Sequence, residues 1–290
     1  MSEAAHVKQT GRIGGRLVEP AGRAVRGFAR TVDNAINPIV VKELRQAVNG
    51  RFVGAALTLF LGISVVTIAV ALIDSGGRIE AEAGRDVLVV LNATLLGVCL
   101  LLLPLQAGWR FASERSDQNV DLMFITTIAP RSIIAGKLAA TVILAGLIYA
   151  ACLPFMTLTY LLRGVDLPTI LLMVVIGFAV VVGGIMLALF AASAPMHRGF
   201  RVLMAVGVLG LLAVTYQGLI GWSAASLQFG LFSARTGPAE LWGWLLAAGL
   251  LFFSAVYLLF RFAVAMISAP TSNRVLPVRL AMMGVWVVFT

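Results

Sequence analysis

Charged residues fall into short blocks along this chain, and between them run uncharged stretches at 52–73, 87–109, 138–162, 167–197, 202–234 and 241–260. A helix that crosses the hydrocarbon of a bilayer needs about 20 apolar residues at 1.5 Å each. Six such helices fit, with cores near 53–73, 87–107, 138–162, 169–192, 202–220 and 241–260. The apolar residues are blocked rather than alternating, so the predicted fold is all-α: a polytopic membrane protein built on a six-helix transmembrane bundle.

Two stretches ahead of the first run are patterned differently. "NPIVVKELRQAVNGRFV", residues 37–53, places Val40, Val41, Leu44, Ala47 and Val48 on one helical face and Lys42, Arg45, Gln46 and Asn49 on the other. Asn37 suits the cap and Pro38 the first helical position, while Asn49-Gly50 breaks the helix before Arg51. The spacing predicts an interfacial helix joined to the first span by an elbow. From Pro20, Ala21, Val25, Phe28, Val32 and Ile36 form a second apolar face opposite Arg23, Arg26, Arg30 and Asp33. This reads as an amphipathic helix on the membrane surface, although Gly22 and Gly27 weaken it.

Composition sharpens the membrane reading. At 60% hydrophobic and 12% charged, the chain lies outside the usual range of soluble domains, roughly 45–50% and 25%. The first apolar run begins only after some fifty residues and is a full span, which argues against a cleaved signal. Of the 22 Lys and Arg residues, eighteen fall in the tail 1–52, the 108–137 and 195–201 loops, and 261–279. The alternate loops hold Arg78, Arg85, Arg163 and Arg235 beside Asp74, Glu80, Glu82, Asp86, Asp166 and Glu240. Both ends of the six-span unit are therefore expected in the cytoplasm. The +9 net charge follows from that bias and from attraction to anionic lipid, with no need of nucleic acid.

Features inside the spans speak to packing. Pro104 and Pro154 should kink or locally open spans 2 and 3. Gly184, Ala188 and Ala192 make a small-residue stripe that permits close helix contact. Cys99 and Cys152 read as buried packing. The stretch 221–240, "GWSAASLQFGLFSARTGPAE", reads either as re-entrant half-helices or as a loop anchored by Trp222, Phe229 and Phe232. "LAMMGVWVVFT", 280–290, is either a surface anchor or the start of a seventh span cut by the chain end, the second being favoured.

The six span cores carry no Asp, Glu, Lys, Arg or His, the groups that proton- and ion-coupled transporters place there. The two histidines, His6 and His197, stand outside any metal-ligand spacing or nucleophilic set. Gly136-Lys137 is not a phosphate loop, because Arg131 stands where the earlier Gly belongs and Leu138 replaces the Ser or Thr. Lys137 reads instead as a headgroup anchor at the start of span 3. No cofactor and no enzymatic activity are expected, and any active transport must be driven by a partner.

The loop "WRFASERSDQNVDLMFITTIAPRSIIAGKLAA", Trp109 to Ala140, should contain a short helix between Asp117 and Ile128, stopped by Pro130. Val120, Met123, Phe124 and Ile128 share one face, and Leu122 and Ile125 lie opposite. A short helix apolar on both faces is poorly suited to water. It is expected to pack on its own chain with one side and on a partner with the other.

In this loop the chain resembles the permease subunit of type-2 ATP-binding cassette exporters. That family has an amphipathic connecting helix like "NPIVVKELRQAV". Its loop between spans 2 and 3 carries a Glu-Arg pair, an apolar coupling helix, a Pro-containing turn and Gly-Lys at the entry to span 3. Here these are Glu114-Arg115, the Asp121–Ile128 helix, Pro130-Arg131-Ser132 and Gly136-Lys137. Where the family commonly has Gly-Thr and then Glu-Leu, this chain has Gln118-Asn119-Val120-Asp121-Leu122. The resemblance implies a separate ATPase subunit docking on Glu114, Arg115, Asp121, Leu122, Met123, Phe124 and Ile128. It also implies a homodimer or heterodimer of permeases, and Lys42, Glu43 and Arg45 facing the docking platform and the lipid headgroups. Residues 1–36 would be a basic cytoplasmic tail, 37–262 the permease domain, and 263–290 a cytoplasmic segment with the possible seventh span. The competing readings are an ATP-independent membrane scaffold, whose loop helix binds another partner, and a secondary transporter. The default location is a bacterial inner membrane.

Overall fold

The computed structural model describes residues 38–48, 51–74, 81–116, 130–161, 165–195, 197–229, 238–268 and 275–289. Every regular element among them is helical. α1 is Pro38–Val48, α2 Arg51–Asp74 and α3 Ala81–Leu96, which runs through a π-helical segment, Gly97–Leu102, into α4, Leu103–Ser116. α5 is Pro130–Leu161, α6 Leu167–Ser193, α7 Arg198–Phe229, α8 Pro238–Ile267 and α9 Val275–Phe289.

Six of these helical stretches are long and apolar enough to cross a membrane: Val53–Ala71, Gly84–Glu114, Pro130–Tyr160, Leu167–Ser193, Gly199–Gln228 and Trp242–Ile267. Each expected span core coincides with one of them. The chain is accordingly an integral membrane protein. Inside hydrocarbon no water satisfies the backbone, so each span bonds internally as a helix. The hydroxyls in these helices also satisfy themselves. Ser64 donates to the Phe60 carbonyl at 2.8 Å, Thr94 to Val90 at 2.8 Å and Thr215 to Leu211 at 2.9 Å.

The centre of the bundle is the second span against α6. There α4 and α6 make the most extensive helix pairing, and α5, α7 and α8 pack around α6. The small-residue stripe lies in this contact. A Cβ on Gly108 would sit 3.4 Å from the Ala188 carbonyl oxygen, and one on Gly184 would sit 3.0 Å from side-chain carbons of both Leu100 and Leu212. Three helices thus meet at Gly184 at a distance where any larger side chain would have to push its neighbours aside.

Pro104 acts as expected, in a specific form. It has no N–H to give the preceding turn, and the chain immediately before it takes the wider i→i+5 bonding of a π-helix. Pro154 sits inside a helix assigned without interruption from 130 to 161. The stretch from 221 is corrected: α7 continues unbroken to Phe229, so residues 221–229 are not a re-entrant half-helix. Ser223 and Ser226 explain the continuity, donating to the carbonyls of Ile220 and Ser223 at 2.8 Å each. α9 turns back on α8, where the Arg261 guanidinium donates to the Pro277 carbonyl at 2.9 Å. The surface helix expected at 20–36 lies outside the described residues.

Candidate functional site

α1 forms where its pattern predicts. Val40 is buried, Val41 and Leu44 are partly buried, and Lys42, Arg45 and Gln46 are exposed. Its main support is α5, with a smaller contact to α2. Glu43 lies one helical step from the centre of the apolar face, flanking Val40 and Ala47. At that angle its carboxylate is carried against α5 rather than into the headgroups.

What it meets there is Lys137. The Lys137 ammonium donates to Glu43 Oε1 at 2.6 Å and lies 2.7 Å from Glu114 Oε2. The side chain of Lys137 is 9% exposed, that of Glu43 14% and that of Glu114 54%. The ammonium also stands 5.5 Å from the ring centroid of Phe111, itself buried one turn before Glu114. Behind the cluster is a cavity of about 30 Å³ lined by Gln106, Arg110 and Thr141 as well as Glu43 and Lys137. That is room for a water among polar groups. With Arg110 counted, the cluster holds two cations and two anions, which makes its burial tolerable.

One lysine therefore joins three elements: α1, the end of the second span and the start of the third. Between the last two lies the loop 117–129. The effect is to fix both ends of that loop against α1. A displacement of α4 against α5 at this end must either carry α1 with it or break the ion pairs of Lys137.

The structure corrects two sequence expectations here. Lys137 is no headgroup anchor, because it is buried among carboxylates. Glu43 does not face the headgroups with Lys42 and Arg45; those two do point outward. Glu114 is at the site. The backbone of Arg115 belongs to α4, and its side chain is outside the described residues, as are Asp121, Leu122, Met123, Phe124 and Ile128. A signal for the missed lysine was present. A lysine set one turn past Ile133 and Ile134, on the side of the helix that packs inward, must find an anion, and Glu43 and Glu114 are among the few acids at that end of the bundle. No protein-family model, curated protein or solved structure matches this chain.

Proposed function

We propose that this chain is the permease subunit of a type-2 ATP-binding cassette exporter, driven by a separate ATPase subunit and working as a dimer. The α1 end of the bundle faces the cytoplasm, in keeping with the basic residues gathered there, and the membrane is a bacterial inner membrane. The observation that carries this reading is the Lys137 cluster. A transporter driven from outside its own spans needs a rigid connection between the surface that receives the force and the helices that move. Here the ends of the 117–129 loop and the interfacial helix are tied together at one buried cation. ATPase closure against the loop is passed on as a rigid-body tilt of α4 and α5 with α1, which opens and closes the pathway alternately to the two sides. The span interiors then need no titratable relay.

The dimer face is assigned to α7. Gly207, Gly210, Gly218 and Gly221 share one side of it, and none has an atom within 4 Å of where a Cβ would stand. Leu203 and Val214, on the same side, are 64% and 71% exposed. Gln217 lies at its edge, exposed near mid-helix. An amide left in hydrocarbon is costly, and because it both donates and accepts, its simplest complement is the same amide of a second copy across a two-fold axis.

Co-purification tests the ATPase reading. A tagged chain isolated from its native membrane should bring with it a protein carrying Walker motifs. Phe124→Asp puts a charge into the apolar contact and should reduce that recovery at least about a hundredfold. Thr126→Asp, between the two apolar faces, should do less. Recovery of a partner without Walker motifs, or full retention of the ATPase by Phe124→Asp, would favour a scaffold.

A further inference from the structure

The side of α7 opposite its glycines faces the bundle, and it changes character along its length. In the second half it is closed against its neighbours: Leu212, Ser223, Ser226 and Leu227 are buried, and Tyr216 packs over Gly97 of the π-helical segment. In the first half the same side stands off. Val202, Ala205 and Leu209 are exposed, and between them, α4 and α6 is an open groove of about 440 Å³. Its floor is made of small residues, Gly108 and Ala112 from α4 and Ala188 and Ala192 from α6.

The dimensions of the groove limit what fills it. It runs from Arg201 to Leu212, roughly 16 Å along the helix, or about half of a ~30 Å hydrocarbon core. That is the depth of one leaflet. Its volume is in the range of about 300–1,000 Å³ of small-ligand sites, and its wall is almost wholly apolar.

The mouth of the groove is cationic. Arg201 lines it, partly buried, with no hydrogen bond or ion pair from its side chain among the described residues. The described acids that reach the cavity end of α4 and α5, Glu43 and Glu114, are both engaged by Lys137. Trp109, 75% exposed on the rim, is of a type enriched at headgroup level. An occupant that suits an apolar slot one leaflet deep, with an unneutralised guanidinium at its opening, carries an acyl chain and an anion.

We propose that this groove binds one acyl chain of an anionic phospholipid from the leaflet at the α1 end, with its phosphate on Arg201. Guanidinium and phosphate pair through two parallel hydrogen bonds, while the chain fills the space that α7 leaves by standing off. The bound lipid wedges α7 in its splayed position, so occupancy and the angle of α7 are linked. This holds whether or not an ATPase drives the protein.

Native mass spectrometry of the purified full chain tests it, with phosphatidylglycerol and phosphatidylcholine of equal chain length as probes. The wild type should retain phosphatidylglycerol in preference. Arg201→Gln should lower that retention at least about tenfold and lower that of phosphatidylcholine, whose choline already offsets its phosphate, distinctly less, so that the preference is lost. Arg131→Gln, which removes an exposed cation at the same end, should leave the preference intact. Ala205→Phe, on the exposed wall of the groove, should reduce retention of both lipids. Equal retention of the two lipids by wild type would overturn the proposal, as would wild-type retention of phosphatidylglycerol by Arg201→Gln. So would an Ala205→Phe protein that keeps its lipid and loses only self-association, since the groove would then belong to a second copy.

Discussion

The corner where α1, α4 and α5 meet and the long face of α7 both carry polar groups within an apolar molecule, but they treat them in opposite ways. At the corner, two carboxylates, an ammonium and an aromatic ring close around one another, and the acid on α1 faces inward to complete the set. On α7, Gln217 and Arg201 have no such closure, and four glycines open onto empty space. The burial of the two spans follows the same division: 61% of the most apolar window of the second span is buried, against 6% for the span of α7. The first region is finished within one chain. The second is left open in a single chain, and the complement proposed for it is a second copy on one side of the helix and lipid on the other.

That contrast can be broken by substitution, and the largest effect is expected at the corner. Lys137→Met leaves Glu43 buried and facing Glu114 with no cation between them. Removing one partner of a buried pair costs about 3–5 kcal/mol, so the variant should unfold at distinctly lower denaturant in a detergent titration, with α1 becoming open to protease. An unchanged midpoint would mean that the cluster does not hold α1.

Glycine gives the next comparison. Gly184→Val forces carbon into contacts already at 3.0 Å on two sides, and overpacking of that kind costs about 1–3 kcal/mol. Gly207→Val meets nothing within 4 Å and should leave the unfolding midpoint of the monomer unchanged while reducing dimer recovery in cross-linking. If the two substitutions destabilise equally, α7 is packed within its own chain and the division between the regions fails. The smallest effect belongs to Glu114→Gln. That carboxylate is 54% exposed, and solvent-screened pairs contribute about 1 kcal/mol or less. A loss as large as that of Lys137→Met would show Glu114, not Glu43, to be the main counter-ion.

The spans could be read from sequence because a bilayer imposes a length, and runs such as 53–73 and 169–192 have no soluble use. α1 could be read because most of its apolar and charged residues separate at 100° per residue, Ile39 and Glu43 being the two out of place. Residues 221–229 were misread for a physical reason. Gly and Ser break helices in water, whereas in a span the hydroxyls of Ser223 and Ser226 bond back to the helix. Pro104 announced a distortion, but its resolution as a π-helical segment depends on what packs there, including Gly184 and Tyr216. The Glu43–Lys137 bond spans 94 residues, and no local pattern encodes it. The groove beside Arg201 is set by the angle between helices, which hydrophobicity alone does not specify.

The pinning of α1 to the third span by charge, on which the proposed force transfer from the loop depends, is tested most directly by a double-mutant cycle. Lys137→Met, Glu43→Gln and the pair together would be compared by unfolding midpoint and by protease cleavage within α1. If the two side chains act on each other, the double variant is less destabilised than the sum of the singles, with a coupling of at least about 1 kcal/mol, and α1 is released in all three. Additivity within about 0.3–0.5 kcal/mol, with α1 protected in either single variant, would contradict the latch and the transmission route built on it.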